Sequence, residues 1–187
     1  MENRPLTICV FCSSSEGIDP AFFAVAEDLG RAMTDGGHQL VYGGASVGLM
    51  GALARSVKRH GGRVVGVIPR SLQDRELAFT GADELIVTND LRDRKGIMEE
   101  RSDAFLTLPG GFGTLEETIE ILTLRQLGLH RKPVVILNAG GFYDPLLHLF
   151  GHIERNGFAP LGGNGLYHVA ATVDDALRHI EDSAPRD

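Results

Sequence analysis

The sequence predicts an α/β fold, a Rossmann-like three-layer sandwich in which a mostly parallel sheet carries helices on both faces. Short runs rich in β-branched and other apolar residues alternate with amphipathic helical patterns along the chain, as expected of a sheet built from βαβ units. Glycines and small polar residues follow several of these runs, as they do where a strand turns into a helix beside a ligand. A chain of 187 residues is long enough for a full core, and we expect a single domain over residues 1–187.

Each element is predicted from the period of its apolar residues. Strands are predicted at 7–13, 38–42, 63–68, 84–88, 104–108, 133–138 and 167–170. Helices are predicted at 21–35, 48–60, 91–102, 114–127, 142–156 and 174–182. Local signals support the helix ends: Asp19 is a plausible N-cap ahead of Pro20, and Gly-Gly pairs at 36–37 and 61–62 follow the first two helices.

Composition and charge exclude several classes of protein. The net charge of −7 argues against a nucleic-acid-binding surface, because such surfaces need clustered Lys and Arg. No apolar stretch approaches the length of a membrane span, and residues 1–5 lack the basic and apolar segments of a secretory signal. We therefore expect a cytoplasmic protein that binds neither nucleic acid nor membranes.

The two cysteines form a Cys-x-x-Cys pair, Cys9 and Cys12. Such a pair near a βαβ pattern is typical of thioredoxin-like redox sites, which gain reactivity from a helix N-terminus. Here both residues lie inside a predicted strand, where positions three apart point to opposite faces of the sheet. The strand interpretation is therefore favoured over a redox role.

No metal site is predicted. His148 and His152 lie four residues apart on a predicted helix, but without the H-E-x-x-H pattern. The cysteine pair has no second Cys or His pair at zinc spacing. The Walker A and G-x-G-x-x-G patterns are also absent from the sequence.

The most informative segment is the run Pro-Gly-Gly-Phe-Gly-Thr-Leu-Glu-Glu at 109–117, which joins a predicted strand to a predicted helix. Such a turn presents free N–H groups and the positive end of a helix to an anion, and glycines let the backbone approach a phosphate closely. Glu117 continues the apolar stripe of Ile121 and Leu124 at helical spacing. A carboxylate in that position needs a partner or a function, so we predict a phosphate cradle with a functional glutamate.

Three loops of small residues are expected to meet at the carboxyl ends of the strands, where open parallel sheets bind ligands. They are residues 13–15, 42–48 and 109–117. The run 43–51 is either a loop that contacts the ligand or a tight strand-to-helix turn. The charged run 90–95 is either a solvated turn or a source of cations for the same crevice.

These motifs resemble those of the Lonely Guy (LOG) family, the cytokinin riboside 5′-monophosphate phosphoribohydrolases, often labelled lysine decarboxylases. The resemblance covers almost the whole chain, with matches at 10–15, 40–44, 47–51, 66–69, 94–95, 102–105 and 126–128. The family motif P-G-G-x-G-T-x-x-E is matched throughout by Pro109, Gly110, Gly111, Gly113, Thr114 and Glu117.

The resemblance implies a Rossmann-like homodimer with a nucleotide-binding domain. It would hydrolyse the N-glycosidic bond of a nucleoside 5′-monophosphate to free base and ribose 5-phosphate, without a metal or an organic cofactor. Carried over residue by residue, the catalytic pair is Arg94 and Glu117. The expected substrate-binding positions, from the resemblance and from the converging loops, are Glu76, Lys95, Gly110, Gly111, Phe112, Gly113, Thr114, Leu115, Glu116, Ser13, Gly43 and Gly44.

Three positions depart from the family pattern. Arg92 and Phe79 stand where the family usually has histidines, and Leu124 stands where it usually has a tryptophan. The departures leave open whether a prenylated adenine is preferred over plain AMP. They also keep a second hypothesis open, a nucleotide-binding module of the same fold without useful catalysis.

A lysine decarboxylase is disfavoured by the positions of the lysines. That chemistry generally needs pyridoxal phosphate on a Schiff-base lysine. Lys58 and Lys132 are predicted to lie away from the crevice, and Lys95 fits a contact with the substrate better.

The predicted helix at 114–127, which follows the glycine-rich motif, is also relevant to the oligomeric state. It carries apolar residues on more than one face, and a helix that is apolar around much of its circumference is usually buried. Burial in a homodimer and burial within one chain are both compatible with this pattern.

Overall fold

The computed structural model describes residues 4–73, 78–159 and 165–185. Within these ranges seven strands form one sheet in the order β4-β3-β2-β1-β5-β6-β7, and all neighbouring strands are parallel. The strands are β1 (Thr7–Phe11), β2 (Gln39–Tyr42), β3 (Val64–Pro69), β4 (Glu84–Thr88), β5 (Ala104–Thr107), β6 (Val134–Leu137) and β7 (His168–Ala170). The predicted α/β fold with a mostly parallel sheet is confirmed.

The helices cover both faces of the sheet. They are α1 (Pro20–Asp35), α2 (Gly48–Arg59), α3 (Arg70–Gln73), α4 (Leu91–Glu100), α5 (Phe112–Gln126), α6 (Asp144–Arg155) and α7 (Val173–Ser183). One core packs α1, α2 and α7 against the sheet. The other core packs α4 and α5, with part of α6, against the opposite face. No helix in the described ranges is both long and apolar enough to cross a membrane.

The cysteine pair follows the predicted strand geometry. Cys9 belongs to the core under α4 and α5, whereas Cys12, just past the end of β1, belongs to the core under α1 and α2. Both thiols are free and buried. Burial raises the pKa of both thiols well above the ordinary value, which disfavours the thiolate that redox chemistry requires.

The sequence analysis missed two short elements and misplaced the starts of α5 and α6 by two residues each, and those of α1 and α7 by one. The single-turn helix α3 and the 3₁₀ turn at Ala139–Gly141 are too short to produce a helical period. Helix α5 begins at Phe112, two residues earlier than predicted, because Gly111 serves as its N-cap. The first helix was predicted well: Asp19 accepts a hydrogen bond from the Ala21 N–H at 2.9 Å, with Pro20 directly after it.

The strand order creates a crevice between β1 and β5. The chain runs outward from β1 through β2 and β3 to β4, and then returns to place β5 on the other side of β1. The loops that leave β1 and β5 therefore diverge to opposite faces of the sheet. In open parallel sheets this switch of direction is where ligands bind.

Candidate active site

A cleft of about 280 Å³ lies at this switch point. The loop after β1 contributes residues 13–15, and the motif loop contributes Gly111, Gly113, Thr114 and Glu117. The loop after β2 reaches the cleft through Met50, at the start of α2. The Met50 N–H also donates a hydrogen bond to the Ser13 carbonyl at 3.2 Å. Two of the three loops that the sequence predicted to converge, 13–15 and 109–117, line this cleft, whereas the loop 42–48 contributes no lining residue and only Met50, just beyond it, does.

The start of α5 forms one wall of the cleft. The first hydrogen bond of the helix runs from the Leu115 N–H to the Gly111 carbonyl, at 3.0 Å. The N–H groups that precede it, at 112–114, belong to the set that an α-helix leaves without intrahelical acceptors. Gly110 makes room for this geometry, because a Cβ there would lie 2.1 Å from the Thr114 hydroxyl oxygen. The wall therefore has the form of an anion site.

Helix α5 is held to the end of β5 by threonine side chains. The Thr118 hydroxyl donates to the Thr114 carbonyl at 2.7 Å and lies 2.9 Å from the Thr107 hydroxyl. Thr107 and Thr118 are both buried. This contact fixes the first turn of the helix relative to the strand that precedes it.

Arg94 and Glu117 form a buried ion pair beside this wall. The Arg94 Nη1 lies 2.9 Å from the Glu117 Oε1, and the two residues are only 7% and 5% exposed. The Arg94 Nε donates to the Val67 carbonyl at 2.9 Å, which fixes the guanidinium plane against β3. Both side chains line the cleft, so the pair carries opposite charges to the place where a ligand would sit.

Gly43 makes the path of Arg94 possible. A Cβ at position 43 would lie 2.1 Å from the Arg94 Nη2. Gly44, with a φ of +80°, packs its backbone against Ile68. Neither glycine lies at the cleft surface. Gly43 therefore accommodates the arginine within the turn, and direct contact of this loop with a ligand stays a prediction.

Burial and the arginine act in opposite directions on Glu117. Removal of the carboxyl from water raises its pKa, and the positive charge of Arg94 lowers it in part, leaving a pKa above the ordinary value. Because few other charges or waters reach a buried pair, its electrostatic interactions are stronger than those of a surface pair. A cation that developed within the cleft would favour the ionised carboxylate.

The charged run at the start of α4 divides between the cleft and solvent. Asp90 caps the helix by accepting hydrogen bonds from the Arg92 and Asp93 N–H groups, at 2.8 and 2.9 Å. Of the charged residues in this run, only Arg94 lines the cleft. Arg92 is exposed, and Lys95 forms ion pairs with Glu116 and with Glu120, the latter at 2.6 Å.

Several predicted binding residues lie outside the cleft wall. Lys95 and Glu116 pair with each other rather than facing the cleft, Phe112 is 94% exposed, and Leu115 is half-buried. Glu76 lies outside the described residues. Of the positions that depart from the family pattern, Phe79 and Leu124 pack against the two cores.

The sequence missed four residues that line the cleft: Cys12, Met50, Leu72 and Leu91. Cys12 was detectable, because it directly precedes the serines that follow β1. Met50 lay within the run 43–51 but was not singled out. Leu72 comes from the single-turn helix α3, which is too short to produce a helical period in the sequence.

Comparison with known proteins finds the same family that the motif at 109–117 resembles. A sequence model of a family described as "Possible lysine decarboxylase" matches residues 50–180. A cytokinin riboside 5′-monophosphate phosphoribohydrolase of Arabidopsis thaliana is 42% identical over 98% of this chain and 85% of its own length. The enzyme of the same name from Oryza sativa subsp. japonica is 39% identical over 95% of this chain and 74% of its own. The chain belongs to the LOG family.

Solved structures similar to this LOG-family chain include cofactor carriers. The molybdenum cofactor carrier protein of Chlamydomonas reinhardtii superposes with a TM-score of 0.74 at 26% identity, over 96% of this chain and 98% of its own. The molybdenum cofactor binding protein of Rippkaea orientalis also gives 0.74, at 24% identity over 96% and 97% of the two chains. The fold is thus common to LOG-family sequences and to proteins described as cofactor carriers.

Proposed function

We propose that this protein hydrolyses the N-glycosidic bond of adenosine 5′-monophosphates, including those of cytokinins, to give the free base and ribose 5-phosphate. The observation that carries the proposal is the buried Arg94–Glu117 pair, set in a cleft beside an anion-binding helix start. Relatives about 40% identical over most of the chain are named phosphoribohydrolases of cytokinin nucleotides. Together these findings favour an enzyme with the same reaction.

The 5′-phosphate is assigned to the start of α5. Backbone N–H groups at 112–114 and the Thr114 hydroxyl offer donors to its oxygens, and the helix dipole adds positive potential there. Glu117 lies one turn further along the same helix and lines the same cleft. A phosphate anchored at the helix start therefore places the attached ribose beside this carboxylate.

Glu117 would act on charge that develops during bond cleavage. Breaking an N-glycosidic bond makes the ribose cationic, as in glycoside hydrolysis. The ionised carboxylate stabilises that charge and orients the attacking water, and it gains strength because the site is largely removed from bulk water. Arg94 holds Glu117 in position and keeps a positive group beside the departing base.

The placement of the lysines supports a hydrolase over a decarboxylase. Lys58 pairs with Asp83 at 2.7 Å, and Lys132 donates to the Glu99 carbonyl at 2.6 Å. Lys95 is held by two glutamates. The sequence has only these lysines, and none is placed in the cleft to form a Schiff base.

A second candidate function is nucleotide or cofactor binding without catalysis. It is favoured by the similarity to the carrier protein of Chlamydomonas reinhardtii, at 26% identity. A binding module has no need for a buried carboxylate–arginine pair, which burial makes costly to maintain. The pair therefore favours the enzyme.

We further propose that the protein is a cytoplasmic homodimer. An apolar groove lies between α5 and α6, lined by residues that include Ile119, Leu122, Phe150 and Ile153. The LOG resemblance implies a homodimer, and a second copy of the chain would cover this groove. The buried free thiols accord with a reducing compartment.

The proposed reaction is tested by incubating the purified protein with AMP, with isopentenyladenosine monophosphate and with adenosine. Chromatography would follow the free base, and a coupled assay would follow ribose 5-phosphate. We expect equal amounts of base and ribose 5-phosphate from the nucleotides and far slower release from adenosine, which lacks the phosphate. Tight nucleotide binding with no base released over hours would support the carrier function instead.

A further inference from the structure

A buried tyrosine stands behind the glycine-rich turn. Tyr143 is 2% exposed, and its hydroxyl donates to the Leu108 carbonyl at 2.8 Å. Leu108 directly precedes Pro109. The Gly110 N–H faces the same phenol oxygen and lowers its pKa, although burial dominates and raises that pKa. The hydroxyl thus lies against both sides of the Pro109 peptide.

The loop between β6 and α6 holds this tyrosine in place. The Asn138 Oδ1 accepts a hydrogen bond from the Tyr143 N–H at 2.7 Å, and the Asn138 Nδ2 donates to the Asp144 Oδ1 at 2.7 Å. Gly140 and Gly141 have φ values of +60° and +75°, which lets the chain turn tightly between these contacts. The ring of Phe142 packs edge-on against Tyr143, with centroids 4.9 Å apart.

These contacts link a loop that does not line the cleft to the backbone that does. The Leu108 carbonyl and the Gly110 N–H belong to the segment 108–110, which leads directly into Gly111, the residue that caps α5 and lines the cleft. A shift of this turn would change the direction of the N–H groups at 112–114. Small displacements of positioned donors have large effects on binding and turnover.

We propose that Tyr143 is a positioning residue for the substrate phosphate, fixing the turn at 108–110 so that the start of α5 meets the phosphate oxygens. The proposal rests on the proposed function. It assigns no contact between Tyr143 and the substrate. Tyr143 acts through the turn, and its effect belongs to the phosphate end of the ligand rather than to the base.

The test uses Tyr143→Phe, which keeps the ring and removes only the hydroxyl, and Tyr167→Phe as a matched control in another part of the chain. Inhibition constants of ribose 5-phosphate and of free adenine are measured, together with the KM and kcat for AMP. We expect Tyr143→Phe to weaken ribose 5-phosphate binding and raise the KM about tenfold, the upper range for one lost hydrogen bond. Adenine inhibition should stay within about twofold for both variants.

A second variant, Asn138→Ala, removes the side chain that accepts a hydrogen bond from the Tyr143 N–H. It should also weaken ribose 5-phosphate binding. Unchanged ribose 5-phosphate inhibition in Tyr143→Phe would overturn the proposal, even if the variant melts at a lower temperature. Equal weakening of adenine and ribose 5-phosphate would also overturn it, because that result describes a general structural role.

The outcome for Tyr143 is separable from the outcome for the proposed reaction. If the wild type binds AMP but releases no base, the proposed function fails, and calorimetric binding of ribose 5-phosphate to the variants still decides the role of Tyr143. If the wild type releases base and the variants bind ribose 5-phosphate normally, only the positioning role fails. If neither phosphate ligand binds the wild type, both proposals are overturned.

Discussion

The carboxylate of Glu117 is both buried and paired with an opposite charge. The carboxylate is almost fully removed from water, yet one guanidinium lies 2.9 Å from it and a helix start lies one turn away. A pair of this kind is costly to break, because loss of one partner leaves a buried charge without compensation, at about 3–5 kcal/mol. Substitutions that keep the shape and the hydrogen bond therefore report on function more cleanly than truncations.

The first prediction concerns the protonation of Glu117. Since burial outweighs Arg94, its pKa in the folded protein should lie above the ordinary glutamate value. Carbon-13 NMR titration of glutamate-labelled wild type and Glu117→Gln should show one signal, missing from the variant, that titrates at higher pH than the others. A signal that titrates below the ordinary value would mean that Arg94 dominates.

The raised pKa of Glu117 also makes the free energy of unfolding depend on pH in a defined direction. A carboxyl with a raised pKa binds its proton more tightly in the folded state. Its contribution to the free energy of unfolding is therefore fully present below the unfolded pKa, about 4.3. That contribution is lost as the pH rises through the higher, folded pKa.

The second prediction concerns Gly43, which accommodates Arg94. Gly43→Ala places a Cβ 2.1 Å from the Arg94 Nη2 and should displace the guanidinium from Glu117. We expect kcat for base release to fall at least about tenfold, since a catalytic group loses its position. Gly96→Ala in α4 is the matched control, because a Cβ there meets nothing within 4 Å. Wild-type kcat in folded Gly43→Ala would show that the pair tolerates the shift.

Helix α5 carries two parts of the proposed site on successive turns. Its start provides backbone donors, and Glu117 projects from the next turn into the same cleft. The threonine contacts to β5 hold both at a fixed distance. The chemistry thus depends on where the helix begins, as well as on which residues it contains.

The third prediction tests the close approach of a phosphate to this helix start. Gly113→Ala introduces no clash, since a Cβ at 113 meets nothing within 4 Å, and alanine favours a helix by up to about 1 kcal/mol over glycine. The melting temperature should therefore stay level or rise, while the KM for AMP rises at least about tenfold because a methyl group stands beside the phosphate donors. Gly17→Ala, at another open position, is the control.

A melting temperature and a KM that both match the wild type would contradict the assignment of the phosphate to this part of α5. A lower melting temperature with an unchanged KM would contradict it as well. Only the combination of retained stability and weakened nucleotide affinity fits a backbone surface that a ligand must approach closely.

The sequence predicted this element and its motif because their signals are local. Glycine spacing and the apolar stripe of α5 lie within one stretch of chain. The partner of Glu117 came from family resemblance, since the Arg94 contact depends on Gly43 and on the Val67 carbonyl, which are distant in sequence. The partners of Lys95 and the wall residue Leu72 depend on how separate elements pack, so no local pattern could have predicted them.

At the scale of the whole molecule, strand order sets the position of the site. The reversal between β1 and β5 opens the crevice, and each loop that enters it comes from the carboxyl end of a strand. The outer face of α5 is apolar and partly exposed. Ile119 is 40% exposed at the apolar groove, a pattern that favours burial against a partner surface.

The fourth prediction concerns this groove. Sedimentation at micromolar concentration should show a dimer for the wild type, and Ile119→Glu should shift it towards monomer because a charge would be buried at the contact. Ala21→Glu, an exposed substitution on α1 on the opposite face of the sheet, should leave the dimer intact. A monomeric wild type, or a dimer unaffected by Ile119→Glu, would contradict the assignment of this surface.

Catalysis of N-glycosidic cleavage by the Arg94–Glu117 pair is tested by comparing base release from AMP by the wild type and by Glu117→Gln. The variant keeps the size of the side chain and an acceptor for Arg94, but removes the negative charge. We predict release by the wild type and a kcat at least about a hundredfold lower in the folded variant. Equal rates of base release from the two proteins would contradict a catalytic role for this pair.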